Sequence, residues 1–264
     1  MRHEVASIVR ERLCDDCTYW EPFAGAASVL FTLHDIQSAC LCDVIEPLIR
    51  TYKAIKDEPI EVWRSAQEFG GDGINAYYFL REVFNDFLTL RKKPKNEYEL
   101  AGLFIYLNAC CYNGLWRQNA EGEFNVPVSD RKTVKIPKQR TFLSVGQILQ
   151  RTDLRLMEPP TDIFKVIDES RKGDVIFSDP PYYGTFDGYD GLDISSEMFQ
   201  ETLADVLQKA HKRGVTVIAM NSNEPFVRKL YRSWCRIKTI NRHQTVASTN
   251  SGRKEWQQIL GVSK

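Results

Sequence analysis

Apolar positions recur at helical spacing at Val5, Ile8, Val9 and Leu13, so residues 1–13 read as a helix. Residues 18–23 read as a short strand running into a turn of small residues, and 26–33 as a helix. Residues 38–43 read as a second strand, and about 46–56 as a helix. This β-α-β-α order opens a parallel, doubly wound sheet. Residues 60–112 look wholly helical, with Tyr78, Leu80, Phe84 and Phe87 near helical spacing. A polar, Gly-containing segment with strand-like pieces follows over 113–130, then a basic run to Arg140. This block lacks β-α-β alternation and reads as an inserted subdomain.

Alternation resumes near residue 150. Strands are predicted at 154–157, 174–178 and 214–220, and helices at 161–168, 198–212 and 224–234. Two last strands, 236–240 and 256–262, suit an antiparallel pair. The predicted fold is α/β: a doubly wound, mostly parallel, Rossmann-like sheet with a mainly helical insertion. The catalytic domain would span 1–58 and 150–264, and the insertion 59–149.

Length and composition fit this picture. The 264 residues suit one large domain or one domain with an insertion. Hydrophobic residues at 43% and charged residues at 27% are globular proportions and exclude a disordered chain. No apolar run approaches the roughly 18–20 residues that span a bilayer, and the N-terminus lacks the apolar core of a signal peptide. The expectation is a soluble, cytoplasmic protein with no membrane partner. The seven cysteines form a lone CxxC (Cys14, Cys17), a CxC (Cys40, Cys42), a neighbouring pair (Cys110, Cys111) and Cys235. No second pair stands at zinc-ligand spacing, so reduced, mostly buried thiols and no metal are expected.

Basic and acidic residues balance at 35 each, but unevenly. Residues 225–254 hold eight basic residues and no acidic one, and 131–140 hold five basic and no acidic. Residues 91–95 read RKKPK. Such runs attract phosphates or form ordinary solvated surface.

Two constellations carry chemistry. The first is Glu21-Pro22-Phe23-Ala24-Gly25-Ala26-Ala27-Ser28. A Gly-and-Ala turn after a first strand lets a ligand approach the backbone closely. Asp43 ends the next strand 18 positions after Gly25, where an acidic side chain holds ribose hydroxyls. The pattern is not GxGxxG, so the turn suits S-adenosylmethionine better than a dinucleotide. Taken alone, it is equally a structural turn. The second is Asp179-Pro180-Pro181-Tyr182, directly after the buried strand DVIFS. Ligands bind at the carboxyl ends of strands in open α/β sheets. Two prolines fix the backbone and remove two N–H donors. What remains is an acceptor face, the Asp179 carboxylate and the Pro180 carbonyl, beside the flat ring of Tyr182. That face suits an exocyclic amine on a planar base. Two acceptors hold its N–H bonds and turn its lone pair toward an electrophilic methyl.

EPFAGAAS, CDVIEPLI, FIYLNACCYNGLWRQNAEGEFNVP and DVIFSDPPYYG, in this order, resemble the Dam family of DNA adenine-N6 methyltransferases from about residue 18 to the C-terminus. The segment 106–127 is the most diagnostic part. The resemblance implies an adenine-specific, S-adenosylmethionine-dependent enzyme acting on double-stranded DNA at GATC or a related short site, working as a monomer in a bacterial cell. It implies cofactor contacts from Glu21, Phe23, Ala24, Gly25, Asp43, Val44 and Asp179, and a catalytic loop of Asp179, Pro180, Pro181 and Tyr182. Tyr112 and Asn113 would act near the space left by a flipped adenine, and Leu115 and Arg117 would read base edges. An Arg suits a guanine edge, where it makes two hydrogen bonds. Asn119, Lys132 and Arg242 complete the implied DNA surface, with the basic runs clasping phosphates. A duplex base is out of reach for in-line transfer, so the adenine must flip out. Phe186 and Tyr189 are candidate walls of its pocket.

Two departures stand out. Family members usually begin with a Trp-x-Gly-Gly-Lys segment, whereas Met1 falls within the helix expected after it; that segment is expected to be absent. Ala27 replaces the second glycine of the first turn, adding only a methyl group. Alternative readings are a DNA-binding pseudoenzyme without cofactor binding, and the same chemistry on RNA adenine or protein glutamine.

Overall fold

The computed structural model describes all residues except 34, 72, 131–132, 158, 160, 185–194 and 243–255. In chain order its elements are α1 (Arg2–Arg12), β1 (Thr18–Glu21), α2 (Leu30–Leu33), β2 (Ser38–Cys42), α3 (Glu46–Asp57), α4 (Pro59–Gly71), α5 (Tyr77–Leu88), α6 (Glu97–Cys110), α7 (Gln139–Arg151), β3 (Asp153–Met157), α8 (Ile163–Asp168), β4 (Val175–Ser178), α9 (Ser196–Lys212), β5 (Thr216–Ser222), α10 (Pro225–Tyr231), β6 (Cys235–Arg242) and β7 (Trp256–Ser263). No helix among the described residues is long and apolar enough to cross a membrane.

The chain divides into two compact units, Met1–Val44 with Pro159–Lys264, and Ile45–Glu158. In the first, six strands lie in the order β2-β1-β4-β5-β7-β6. β1 pairs parallel with β2 and β4, and β4 with β5. β7 runs antiparallel between β5 and β6, with Ala219 opposite Gly261 and Ile237 opposite the same glycine on the other side. This is the expected mixed α/β, mostly parallel sheet closed by an antiparallel pair. Its central strands are apolar on both faces, as a sheet covered by helices requires: every residue of β4 is buried. Asp174 locks the register of β1 on β4. Its Oδ1 accepts the Thr18 N–H at 2.9 Å, and its Oδ2 accepts the Trp20 indole N–H at 2.9 Å.

The second unit is built around α6, whose residues 100–104 are nearly all buried together with Tyr106 and Leu107. Asn96 caps its start, accepting the Glu99 N–H at 2.9 Å. Gly102 permits close contact with α4: a Cβ there would lie 2.6 Å from the Ser65 Cβ and 2.8 Å from the Ala66 nitrogen. Tyr77, Leu80, Phe84 and Phe87 of α5 join the same core, with Phe124 and Val126 from the segment after α6.

Four expectations change. The helix predicted over 26–33 shrinks to α2, because Gly25 and Ala27 adopt φ of +46° and +45°, which no helix continues. The helical block 60–112 is interrupted between α5 and α6, where Leu90 has φ +57°. The strand-like pieces of 113–130 form two isolated bridges, Cys111 with Val128 and Gln118 with Phe124. α7, with Phe142, Gly146 and Leu149 buried, falls where no helix was predicted. The thiols are also corrected in one place. Cys14 and Cys17 form a disulfide; three residues apart with Cα atoms 5.1 Å from each other, they are within bridging reach. The other five cysteines are buried thiols.

Candidate active site

The first unit carries the two chemical constellations on adjacent strands. β1 is the switch point of the sheet: the chain goes from it to β2 on one side, and later returns to β4 on the other. Loops leaving the carboxyl ends of β1 and β4 therefore diverge around a crevice, where α/β sheets place ligands.

The β1 loop is held from several directions. Glu21, 2% exposed, accepts the Tyr19 hydroxyl at 2.7 Å and the Leu30 N–H at 2.9 Å, both on Oε1. Arg10 closes the other end of α2, donating to the carbonyls of Thr32 (2.8 Å) and Leu33 (3.1 Å). The Ala24 N–H donates to the Cys42 carbonyl at 2.9 Å, and the Gly25 N–H donates to Asp43 Oδ2 at 2.8 Å. The residue predicted to hold a ribose thus also pins the turn. Among the described residues, a Cβ on Gly25 would meet nothing within 4 Å. Phe23, Ala24 and Asp43 are largely buried, while Val44 is exposed. Burial, helped by the nearby Asp179 charge, raises the Glu21 carboxyl to about 7 against the lowering pull of its Tyr19 and Leu30 hydrogen bonds.

The β4 loop follows Ser178 directly. The Tyr182 hydroxyl donates to Asp179 Oδ1 at 2.7 Å, so the ring expected beside the carboxylate is tied to it. Gln200 on α9 donates to the Pro181 carbonyl at 2.9 Å. Asn221 at the end of β5 accepts the Tyr183 N–H at 3.3 Å and donates to Gln200 Oε1 at 2.8 Å. The Tyr183 hydroxyl donates to Glu197 at 2.9 Å. Gln200 and Asn221 had no motif to announce them; a polar residue on the buried face of a helix, and another ending an apolar strand, were the signals to find. Among the described residues, the buried Ser178 hydroxyl has no hydrogen-bond partner.

The second unit displays the residues expected at DNA. After α6, Tyr112–Gly114 form a single 3-10 turn with Asn113 at φ +55°. It is fixed at its base: the Tyr112 N–H donates to the Pro127 carbonyl (2.9 Å), and Asn108 donates to the Gly114 carbonyl (3.2 Å). Tyr112, Asn113, Leu115 and Arg117 all face solvent. Beneath them Trp116 stacks on Phe124 at 5.2 Å and meets Phe84 and Phe104. Asn85 binds both backbone groups of Phe124 (2.8 and 3.2 Å), and the Tyr77 hydroxyl donates to the Val126 carbonyl at 2.8 Å. Arg117 donates from Nε to Asn125 Oδ1 at 2.7 Å and from Nη2 to the Asn125 carbonyl at 3.3 Å. Asn119 is engaged within its own turn, accepting the Glu123 N–H at 2.8 Å and donating to the Glu123 carboxylate at 3.2 Å.

The basic runs are less open than their sequence suggested. Arg91 pairs with Asp86 and Glu123, and Lys92 with Asp86. Lys238 pairs with Glu4, and Arg228 donates to Asn223 and Thr239. Lys132, Phe186, Tyr189 and the side chain of Arg242 lie outside the described residues. Among those described, no three His, Cys, Asp or Glu side chains group as a metal site.

Known proteins resemble this chain over most of its length. The model of the D12 class N6 adenine-specific DNA methyltransferase family matches residues 3–247. The chain is 33% identical over 250 residues to the DNA N-6-adenine-methyltransferase of Escherichia phage P1, covering 92% of this chain and 31% of that protein, so it spans about a third of the phage protein. It is 32% identical to the Retron Ec67 DNA adenine methylase of Escherichia coli (92% and 81% covered) and 28% identical to the DNA adenine methylase of Escherichia coli strain K12 (92% and 85%). With the match running nearly end to end, and the two loops standing at the switch point of the sheet, the chain belongs to the D12 class of N6 adenine-specific DNA methyltransferases.

Proposed function

We propose that this methyltransferase takes its methyl group from S-adenosylmethionine and delivers it to N6 of an adenine flipped out of duplex DNA, acting as a monomer at GATC or a related short site. One observation carries the reading. The Phe23–Gly25 turn and the Asp179–Tyr182 loop leave adjacent parallel strands at the switch point of the sheet.

The residues of the turn fit the cofactor. Asp43 is an acceptor of the kind that ribose hydroxyls need, and at Gly25, with φ +46°, a Cβ would meet none of the described residues within 4 Å. Phe23 supplies an apolar flank, and Glu21 stands behind the turn. When bound, S-adenosylmethionine supplies an electrophilic methyl on a sulfonium, so no metal is required.

On the other side, the Asp179 carboxylate and the Pro180 carbonyl would accept the two N–H bonds of the exocyclic amine, while Tyr182 supports the purine face. Holding both N–H bonds turns the lone pair out of the ring plane and toward the methyl. The N–C bond would form as the methyl–sulfur bond of the sulfonium breaks, leaving a neutral thioether, and one N–H proton would depart to water. Asp179 acts here as an orienting acceptor more than as a strong base.

The block 59–149 would read the target. Tyr112 and Asn113 would fill the space left by the flipped base, and Leu115 and Arg117 would address base edges. Asn119 would act there by shaping the turn. Lys132 and Arg242, with the basic runs, would contribute phosphate affinity.

The test is transfer of labelled methyl to two unmethylated duplexes, one with GATC and one with those four bases scrambled, with RNA and protein offered as separate acceptors. Label on the GATC duplex alone is expected. Label on both, or on the scrambled duplex alone, would reject the site; label on RNA or protein but on neither duplex would reject the substrate.

A further inference from the structure

We propose that Gln200 and Asn221 are positioning residues for methyl transfer: together they clamp the two peptide planes flanking Tyr182, and so aim its ring and the Asp179 carboxylate. The inference rests on the reading that Asp179 and Tyr182 hold the target adenine.

Both side chains are withdrawn from water, Gln200 at 1% and Asn221 at 0% exposure. Burying two primary amides is costly unless each is hydrogen-bonded. Here they bond to each other and to the loop. Gln200 Nε2 donates to the Pro181 carbonyl (2.9 Å), Asn221 Nδ2 donates to Gln200 Oε1 (2.8 Å), and Asn221 Oδ1 accepts from the Tyr183 N–H (3.3 Å) and the Ser222 N–H (2.8 Å).

The orientation of each amide is forced. A carbonyl only accepts, so Gln200 must turn its NH2 toward Pro181. Its oxygen then faces Asn221 and requires a donor there. That leaves the Asn221 oxygen for Tyr183, whose N–H only donates. Flipping either amide sets like against like at both of its contacts.

The two clamped groups have a specific place. The Pro181 carbonyl lies in the peptide plane before the Tyr182 Cα, and the Tyr183 N–H in the plane after it. Holding both planes fixes the backbone on which the Tyr182 ring is mounted. The Tyr182 hydroxyl passes the constraint to Asp179 Oδ1 at 2.7 Å. The clamp comes from α9 and β5, elements that need not touch the substrate themselves.

The test uses the full chain with near-isosteric changes, Gln200→Glu and Asn221→Asp, and an apolar pair, Gln200→Leu with Asn221→Leu, in case a buried charge prevents folding. Single-turnover methyl transfer to unmethylated plasmid DNA is measured, with cofactor affinity by calorimetry and folding by circular dichroism. In folded variants the expected single-turnover rate falls by about tenfold to a hundredfold, the scale of a small misplacement of reacting groups. Cofactor affinity should stay within about twofold. The double variants should be no worse than about threefold below the poorer single, because a chain broken at one link is already broken.

Rates within about twofold of the parent, a matching loss of cofactor affinity, or singles that multiply in the double would each overturn the clamp. Asp179→Ala is run alongside. If it keeps its activity, the reading beneath the clamp fails and takes the inference with it. If it loses activity while the clamp variants do not, the inference alone fails.

Discussion

Two regions present functional side chains in contrasting ways. The edge of the sheet, where β1 and β4 end, is held by buried polar groups: Glu21 on Tyr19 and Leu30, Asp43 on Gly25, and Asn221 and Gln200 on the Asp179 loop. The segment after α6 is held by an aromatic nest of Phe84, Phe104, Trp116 and Phe124, with Tyr112, Asn113, Leu115 and Arg117 exposed above it. Buried polar networks are directional: each bond admits few arrangements, which suits a site that must place a methyl and an amine in line. Aromatic packing is strong but less directional. It suits a platform whose exposed face can vary without disturbing its support.

The sharpest way to break this contrast is Asp179→Ala. At the directional edge, loss of one acceptor should cost more than about a thousandfold in methyl transfer, roughly 4 kcal/mol, with little change in thermal stability. Retained activity in the labelled-methyl assay would remove the site from this edge.

Next is Phe84→Ala on the platform side. Phe84 is fully buried, and its ring lies 6.2–6.3 Å from those of Phe104, Trp116 and Phe124. The expected loss is about 3–4 kcal/mol of stability in urea titration. Cofactor binding, which we propose for the other unit, should survive at low temperature. If cofactor affinity fell as steeply as stability, the two regions would not be independent supports.

Glu21→Gln probes the polar side by pH. Burial raises the folded-state carboxyl to about 7, above its ordinary 4.5. Between those values the folded state holds a proton that the unfolded state has lost. The parent's stability therefore declines as pH rises from about 4.5 to about 7, and is flat above. A glutamine keeps an acceptor for Tyr19 and Leu30 but does not titrate. The variant should be more stable than the parent at pH 8, by an order of 1–3 kcal/mol, and the gap should close near pH 5. A gap independent of pH would mean that Glu21 is ionised throughout.

The difference between the regions also governs what could be read from the chain. β1, β2, β4 and β5 were legible because strands covered on both faces leave unbroken apolar runs, and Gly25 and the two prolines of the β4 loop mark special backbone. The shortness of α2 was not legible, since alanine does not advertise a positive φ and the Glu21–Leu30 bond closes only in the fold. α7 was hidden by the basic residues at its start. The clamp on Tyr182 and the pairing of Arg91 with Glu123 join residues far apart in sequence. The residues proposed for recognition were legible only by resemblance: Tyr112, Leu115 and Arg117 follow no spacing rule, and their common exposure depends on Trp116 and Asn85 beneath.

The smallest expected effect lies where the two kinds of support meet. Arg117 stands on the aromatic platform but is oriented by a polar partner. Asn125 engages Nε and one Nη2 hydrogen, the side edge of the guanidinium. Among the described residues, that leaves the end edge, Nη1 with Nη2, in the geometry that takes guanine O6 and N7. Arg117→Ala should cost about 1–3 kcal/mol of discrimination at one base pair. Asn125→Ala keeps the Arg and the backbone carbonyl contact but loses the side-chain acceptor, so about 1 kcal/mol should go. Competition between duplexes differing at single positions measures both. The two losses should fall at the same base pair, and the double variant should match Arg117→Ala alone, because Asn125 acts only through the side chain it aims. Losses at different base pairs would make Asn125 a reader in its own right. A uniform weakening on every duplex would make Arg117 a phosphate contact, and the platform a clasp instead of a reader.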